Sequence, residues 1–168
     1  MKSVLISIRP KWCELIASGE KTIEVRKTAP KDVPFKVYIY ATKKEYLQWV
    51  FRKGDYIFSD DHSAGKFDEN IFVKNRYDWQ GKVIGEFVCD GVFAIRANDY
   101  THEYIERVAC LSHKELEEYQ GDEAHVFGWR IFDLKIYDKP KKLSKFRHCG
   151  VKLTRPPQSW CYVEELQG

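Results

Sequence analysis

The opening segment of the chain constrains its fold more tightly than any other. Val4, Leu5, Ile6 and Ile8 form a largely β-branched apolar run, which predicts a buried strand over residues 4–8. Pro10 follows at a position where its missing N–H is harmless, the first turn of a helix. Trp12, Leu15 and Ile16 then recur at helical spacing, and Ser18 and Gly19 end the helix, glycine being the usual left-handed residue past a helix terminus. From Thr22 to Arg26 the residues alternate as a strand does. The order is strand, short helix, tight turn, strand. Lys21 falls on the turn or its exit, while Glu24 and Arg26 share one face of the second strand.

The remainder is mostly β. Residues 36–41 predict a strand, residues 45–51 a short helix, and residues 59–70 an exposed loop. A long β stretch over 83–95 is punctuated by Gly85, which suggests a bulge, and by Asp90 and Gly91, which suggest a turn. Residues 99–120 form the helical region, where Ser112 precedes Glu115 at capping-box spacing and Gly121 closes the segment. Residues 125–137 return to strand, and Pro140 is expected to end it, because proline cannot donate to a ladder. A last strand is expected over 161–163. Many strands with an early short helix and a later helical segment imply an α+β domain spanning residues 1–168, its roughly five to seven strands forming a small mixed barrel.

Charge is informative in its distribution. The formal net charge is only +3. Residues 139–155, however, carry Lys139, Lys141, Lys142, Lys145, Arg147, Lys152 and Arg155 with no acid among them. Read plainly, this is a solvated loop; read functionally, it is an electrostatic track for an anionic strand, with Phe146, Trp160 and Tyr162 available to stack on bases. The five cysteines are odd in number, widely spread and free of any CxxC pair, which suits a reducing compartment. No apolar stretch reaches membrane-spanning length, so no membrane partner is expected and the location expected is cytoplasmic.

The chemistry-bearing group is Lys21, Glu24 and Arg26: two cations and a carboxylate within six residues. A carboxylate flanked by cations serves as a hydrogen-bond acceptor, for instance from an exocyclic amine, rather than as a general acid. Lys21 and Arg26 suit phosphate, Arg26 in bidentate fashion. The plainer alternative is a structural ion pair. Arg9, at the end of the first strand, is either a phosphate contact or a surface charge at the helix start. Trp12, Trp129 and Trp160 divide between core and stacking roles. Ser159 is either a turn residue or a nucleophile, but no base stands near it in sequence. Cys110 and His113, with His148 and Cys149, contain zinc-type ligands, yet nothing in their spacing unites the two pairs, and no metal or cofactor is expected. Walker, GxGxxG and HExxH motifs are absent.

Gly19-x-Lys21-x-x-Glu24-x-Arg26, directly after an amphipathic helix, resembles the GxKxxExR signature of ASCH domains, a branch of the PUA-like superfamily. The likeness extends to Arg9 and Pro10, to the strands around 83–95 and Trp129, and to the ending Pro156, Pro157, Gln158, Ser159 and Trp160, which is similar to small bacterial and phage members. The resemblance implies a β-barrel with a cleft between barrel and first helix that holds RNA or a nucleotide. It also implies two activities found among relatives, hydrolysis of the acyl amide of N4-acetylcytidine and cleavage of RNA. The amidohydrolase branch has threonine as its proposed nucleophile where this chain has Glu24, a departure that argues against that mechanism here; Lys21 is retained.

Three functions therefore stand side by side. One is RNA or modified-nucleotide binding by Arg9, Lys21, Glu24 and Arg26, assisted by Lys145, Arg147, Arg155, Ser159 and Trp160. Another is a hydrolase acting on an acylated nucleoside or on RNA, with Lys21 and Glu24 catalytic. The third is a protein-interaction adaptor using the acidic helix.

Overall fold

In a computed structural model, residues 1–43, 79–96 and 102–166 are described, together with the backbone strands Ile57–Phe58 and Ala64–Gly65. The helix expected over 45–51, and all of the 59–70 loop except Ala64–Gly65, lie outside the described residues.

The chain opens as its residue pattern dictates. Strand β1 (Ser3–Ile8) leads into helix α1 (Pro10–Ala17), with Pro10 in the first turn and Gly19 left-handed at φ 81° just past the end. Strand β2 (Ile23–Arg26) follows, then β3 (Phe35–Ala41), a short hairpin of β4 (Ile57–Phe58) and β5 (Ala64–Gly65), and β6 (Lys82–Cys89) and β7 (Val92–Ile95). Helices α2 (His102–Ala109) and α3 (His113–Gln120) precede β8 (Val126–Arg130) and the long β9 (Phe132–Lys142). A hairpin of β10 (Arg147–His148) and β11 (Val151–Lys152) precedes the final β12 (Trp160–Val163).

The strands sort into two main sheets. One is five-stranded in the order β12-β1-β3-β6-β9, with β1 and β3 parallel and the other pairs antiparallel. The other is β2-β8-β7, antiparallel throughout. The α+β class is as expected, but barrel closure is not: among the described residues the ladders form open sheets, and neither main sheet pairs back on itself.

Three apolar layers hold the arrangement. Val4, Ile6, Ile8, Val37 and Ile39 face α1 and the second sheet, and meet Trp129 there. On the far side of the second sheet, Ile23, Val25, Ile95 and Val126 pack on Ile105, Ala109 and Leu116 of the helices. Leu5, Tyr38, Tyr40, Val83 and Phe146 cover the outer face of the first sheet. Both faces of β1 are thereby buried, which explains why apolar residues fall on both faces of the strand, with Ser7 as the buried polar exception within the run.

Two local expectations need correction, and a third gains detail. At Asp90 and Gly91, where a turn is expected, the chain passes from β6 in one sheet to β7 in the other. Pro140 does not stop β9, because β9 is an edge strand and Pro140 lies where its register with β6 slips between Ile136 and Lys141. The one late helix expected over 99–120 is, among its described residues, two helices, α2 and α3, broken where Cys110 adopts a left-handed φ of 53°. The capping box at Ser112 and Glu115 is present and starts the second of them.

Candidate ligand site at the Lys21, Glu24 and Arg26 cluster

Period-two geometry places Glu24 and Arg26 on the same face of β2, opposite Trp129 and Phe127 of β8. The Arg26 Nη2 lies 2.9 Å from Glu24 Oε1, and Lys21 Nζ lies 3.5 Å from Glu24 Oε2. The three charges expected to meet do meet. They are also more enclosed than an open cleft requires: Lys21 is 2% exposed, Glu24 5%, and the Arg26 side chain 12%.

Each cation has a second acceptor. Lys21 Nζ donates to the carbonyl of Ala109 at 2.5 Å, and the Thr22 N–H donates to Val108 O at 2.8 Å. These are carbonyls of the last turn of α2, which lack helical partners and carry the negative end of the helix dipole. The Lys21 ammonium also lies 5.2 Å from the ring centre of Trp12. Arg26 Nη2 donates to Ser7 O at 2.7 Å, tying β2 to β1 of the other sheet. Two polar atoms of the cluster, Glu24 Oε2 and Arg26 Nε, are buried with no hydrogen-bond partner among the described residues. The group as a whole carries one excess positive charge.

Residues remote in sequence complete the surroundings. Ser7 N–H donates to Ser159 O at 2.9 Å and Ser7 Oγ to Pro157 O at 2.6 Å, so the C-terminal segment is fastened beside the cluster. Trp160 packs edge-on to Trp129 with centroids 5.7 Å apart, and its Nε1 donates to Thr28 Oγ1 at 3.0 Å. Ser159 enters through its backbone carbonyl. Tyr119 on α3 is near enough to feel the cluster: burial pushes the pKa of its phenol above the ordinary value, with Arg26 lowering it and Glu24 raising it. Cys13, buried on α1, has its thiol pushed well above the ordinary value by burial first and by Glu24 second. Neither residue stood out in the sequence, because a lone tyrosine in an acidic helix and a lone apolar-face cysteine carry no local signal.

The other candidates are dispersed. Arg9 is exposed at the start of α1. Lys145 and Arg147 flank Phe146, whose ring is fully buried against Tyr38 on the outer face of the five-stranded sheet, so Phe146 is core rather than a stacking residue. Trp129 is likewise core, Trp12 and Trp160 are half-buried, and Arg155 is exposed. Cys110 and His113 sit at the α2–α3 junction, whereas His148 and Cys149 belong to the β10–β11 hairpin. A cavity of about 580 Å³ opens elsewhere, on the helix side of the second sheet, between Thr22, Phe93, Tyr104 and Arg130. Its principal cation, Arg130, is occupied by bidentate pairing with Asp90.

The ASCH domain model matches residues 6–141. Among solved structures, the chain is similar to ASCH from Zymomonas mobilis, at 20% identity and a TM-score of 0.63 over 98% of this chain and 89% of that one. A tyrosine-to-phenylalanine variant of that protein matches at 19% identity and a TM-score of 0.63, over 98% and 92% of the two chains. Among curated proteins, none matches the chain by sequence.

Proposed function

The chain belongs to the ASCH domain family, and from that membership we propose that it binds single-stranded RNA or a modified nucleotide at the Lys21, Glu24 and Arg26 cluster, as a single cytoplasmic domain. The observation that carries this reading is hydrogen-bonding capacity left unmet in the buried cluster: Arg26 Nε has no acceptor, and Glu24 Oε2, although ion-paired with Lys21 at 3.5 Å, accepts no hydrogen bond among the described residues. A buried polar atom left without a partner costs roughly 1–3 kcal/mol, more when charged. An acceptor and a donor within one cluster match a nucleobase edge that offers both an amine and a carbonyl or ring nitrogen. The excess positive charge suits the attached phosphate. Entry is along Arg26 to Thr28, where Trp160 borders the cluster.

Binding is favoured over hydrolysis by the position of Lys21. Its ammonium is committed to the α2 carbonyl and to Glu24, an arrangement that fixes the pocket rather than freeing an amine for chemistry. The adaptor reading gains nothing specific.

Fluorescence anisotropy of short single-stranded RNA across a salt series tests the proposal. Each phosphate contact contributes about −0.7 to the log–log salt slope. Arg26→Gln is expected to weaken binding and flatten the slope. Absence of binding at low salt, or equal binding by the variant, would overturn the proposal. Turnover of N4-acetylcytidine that disappears in Lys21→Ala would instead establish the hydrolase.

A further inference from the structure

We infer that the β10–β11 hairpin and the exposed ring of Tyr162 form a second subsite for single-stranded nucleic acid, phosphates lying on the hairpin and a base on the ring. The inference extends the RNA-binding reading to a surface outside the signature, and it rests on that reading for the nature of the polyanion.

The hairpin pairs Arg147 directly with Lys152. Like charges directly opposite one another destabilise a two-stranded ribbon, so the pairing works against the fold unless an anion bridges it. Neither residue, nor Lys145, makes an ion pair among the described residues, and Arg147 Nη1 instead donates to Gly150 O at 2.8 Å. The hairpin is nonetheless held firmly. Cys149 at φ 48° and Gly150 at φ 78° are both left-handed, as the tight mirror-image hairpin turn demands. Glu164 Oε1 accepts from the Gly150 N–H at 2.6 Å, and the Glu164 N–H donates to Arg147 O at 2.9 Å, fixing the hairpin along β12. The cations are thus presented from a fixed frame rather than a loose loop.

Tyr162 joins this surface to the signature. His148 Nδ1 lies 2.7 Å from Tyr162 O, and a carbonyl only accepts, so Nδ1 carries the hydrogen. The Tyr162 residue is 39% exposed. Its ring packs edge-on to Trp160 at 5.4 Å, and Trp160 in turn contacts Trp129, the register partner of Glu24. Residues 160 and 162 share one face of β12. The exposed Tyr162 ring beside Trp160, and the Arg147 and Lys152 pair on the hairpin that is fastened to the backbone of β12, together supply the combination that binds single strands without sequence preference. A membrane is a poorer fit, since Val151 alone supplies exposed apolar surface on the hairpin strands.

The test compares a trinucleotide and a decanucleotide of RNA on four proteins: wild type, Arg147→Gln with Lys152→Gln, Tyr162→Leu, and Arg26→Gln. The glutamine pair removes the like-charge repulsion and so preserves the fold, as circular dichroism can verify. The inference expects the hairpin variant to bind the trinucleotide as wild type does but to lose about 1.4 from the salt slope of the decanucleotide, two phosphates at about 0.7 each. Tyr162→Leu is expected to weaken the decanucleotide alone by about 5- to 150-fold, the equivalent of one stacked base. Wild-type decanucleotide binding by both variants overturns the inference. So does a hairpin-dependent association with phosphatidylserine vesicles while RNA binding stays unchanged. If Arg26→Gln alters nothing while the hairpin variant loses the decanucleotide, the signature reading fails and the second subsite stands.

Discussion

The guanidinium of Arg26 donates to the carbonyl of Ser7 at 2.7 Å, and the same Ser7 holds the backbone of Pro157 and Ser159. One residue of β1 therefore joins the charged strand of one sheet to the C-terminal segment of the chain. The two stretches that carry the family likeness, separated by some 130 positions, become neighbours through that residue.

Lys21 stabilises as well as charges the site. Removing one member of a buried ion pair typically costs about 3–5 kcal/mol, and Arg26 continues to pair with Glu24, so Lys21→Ala should lose about 3 kcal/mol in urea denaturation. Lys21→Met combined with Glu24→Gln should cost less than the sum of the separate changes. Strict additivity would mean that the two side chains do not interact.

Two glycines should respond differently to alanine. At Gly85 a Cβ would sit 2.5 Å from the backbone oxygen of Lys135, which cannot move without breaking the β6–β9 ladder. At Gly128 it would sit 2.7 Å from the tip of the partly exposed Phe93 ring and 2.8 Å from the terminal methyl of the buried Ile95, both side-chain ends that can turn aside where a backbone oxygen cannot. Overpacking costs about 1–3 kcal/mol, so Gly85→Ala should fall near the top of that range and Gly128→Ala near the bottom. Thermal melting of both variants gives the order, and a reversed order would contradict the packing described.

Buried thiols give the protein an alkaline weakness. Burial pushes the Cys89 thiol from 9.0 up to about 11, and Cys13 also rises well above the ordinary value. Unfolded thiols ionise near the ordinary value while the folded ones remain neutral. This contribution is therefore complete below pH 9 and is lost as pH climbs toward about 11. Denaturation midpoints should fall over that interval, and less steeply in Cys89→Ala. At pH 8 a thiol reagent should modify the exposed Cys149 at once, and Cys13 and Cys89 only on unfolding. Rapid modification of all five thiols in the folded protein would refute the burial.

Features that depend on local rules were legible in the sequence. Pro10 and Gly19 bounded α1, Ser112 and Glu115 started α3, and alternation put Glu24 beside Arg26. Features that depend on a distant partner were not. Nothing near Lys21 indicates that its acceptor is Ala109, 88 positions away. The Asp90 and Gly91 pair signals a change of direction without revealing that the next strand joins another sheet. Pro140 is tolerated only because β9 is an edge, and edge status belongs to the assembled sheet. Phe146 reads as one aromatic in a basic run, and its burial follows from Tyr38 lying across from it.

The central claim is that Glu24 Oε2 and Arg26 Nε await a nucleotide. A crystal structure with cytidine monophosphate bound addresses it most directly. The account predicts a base edge hydrogen-bonded to both atoms, with the ribose phosphate directed toward Thr28 and Trp160. A nucleotide seated elsewhere, with those two atoms unaltered, would contradict it.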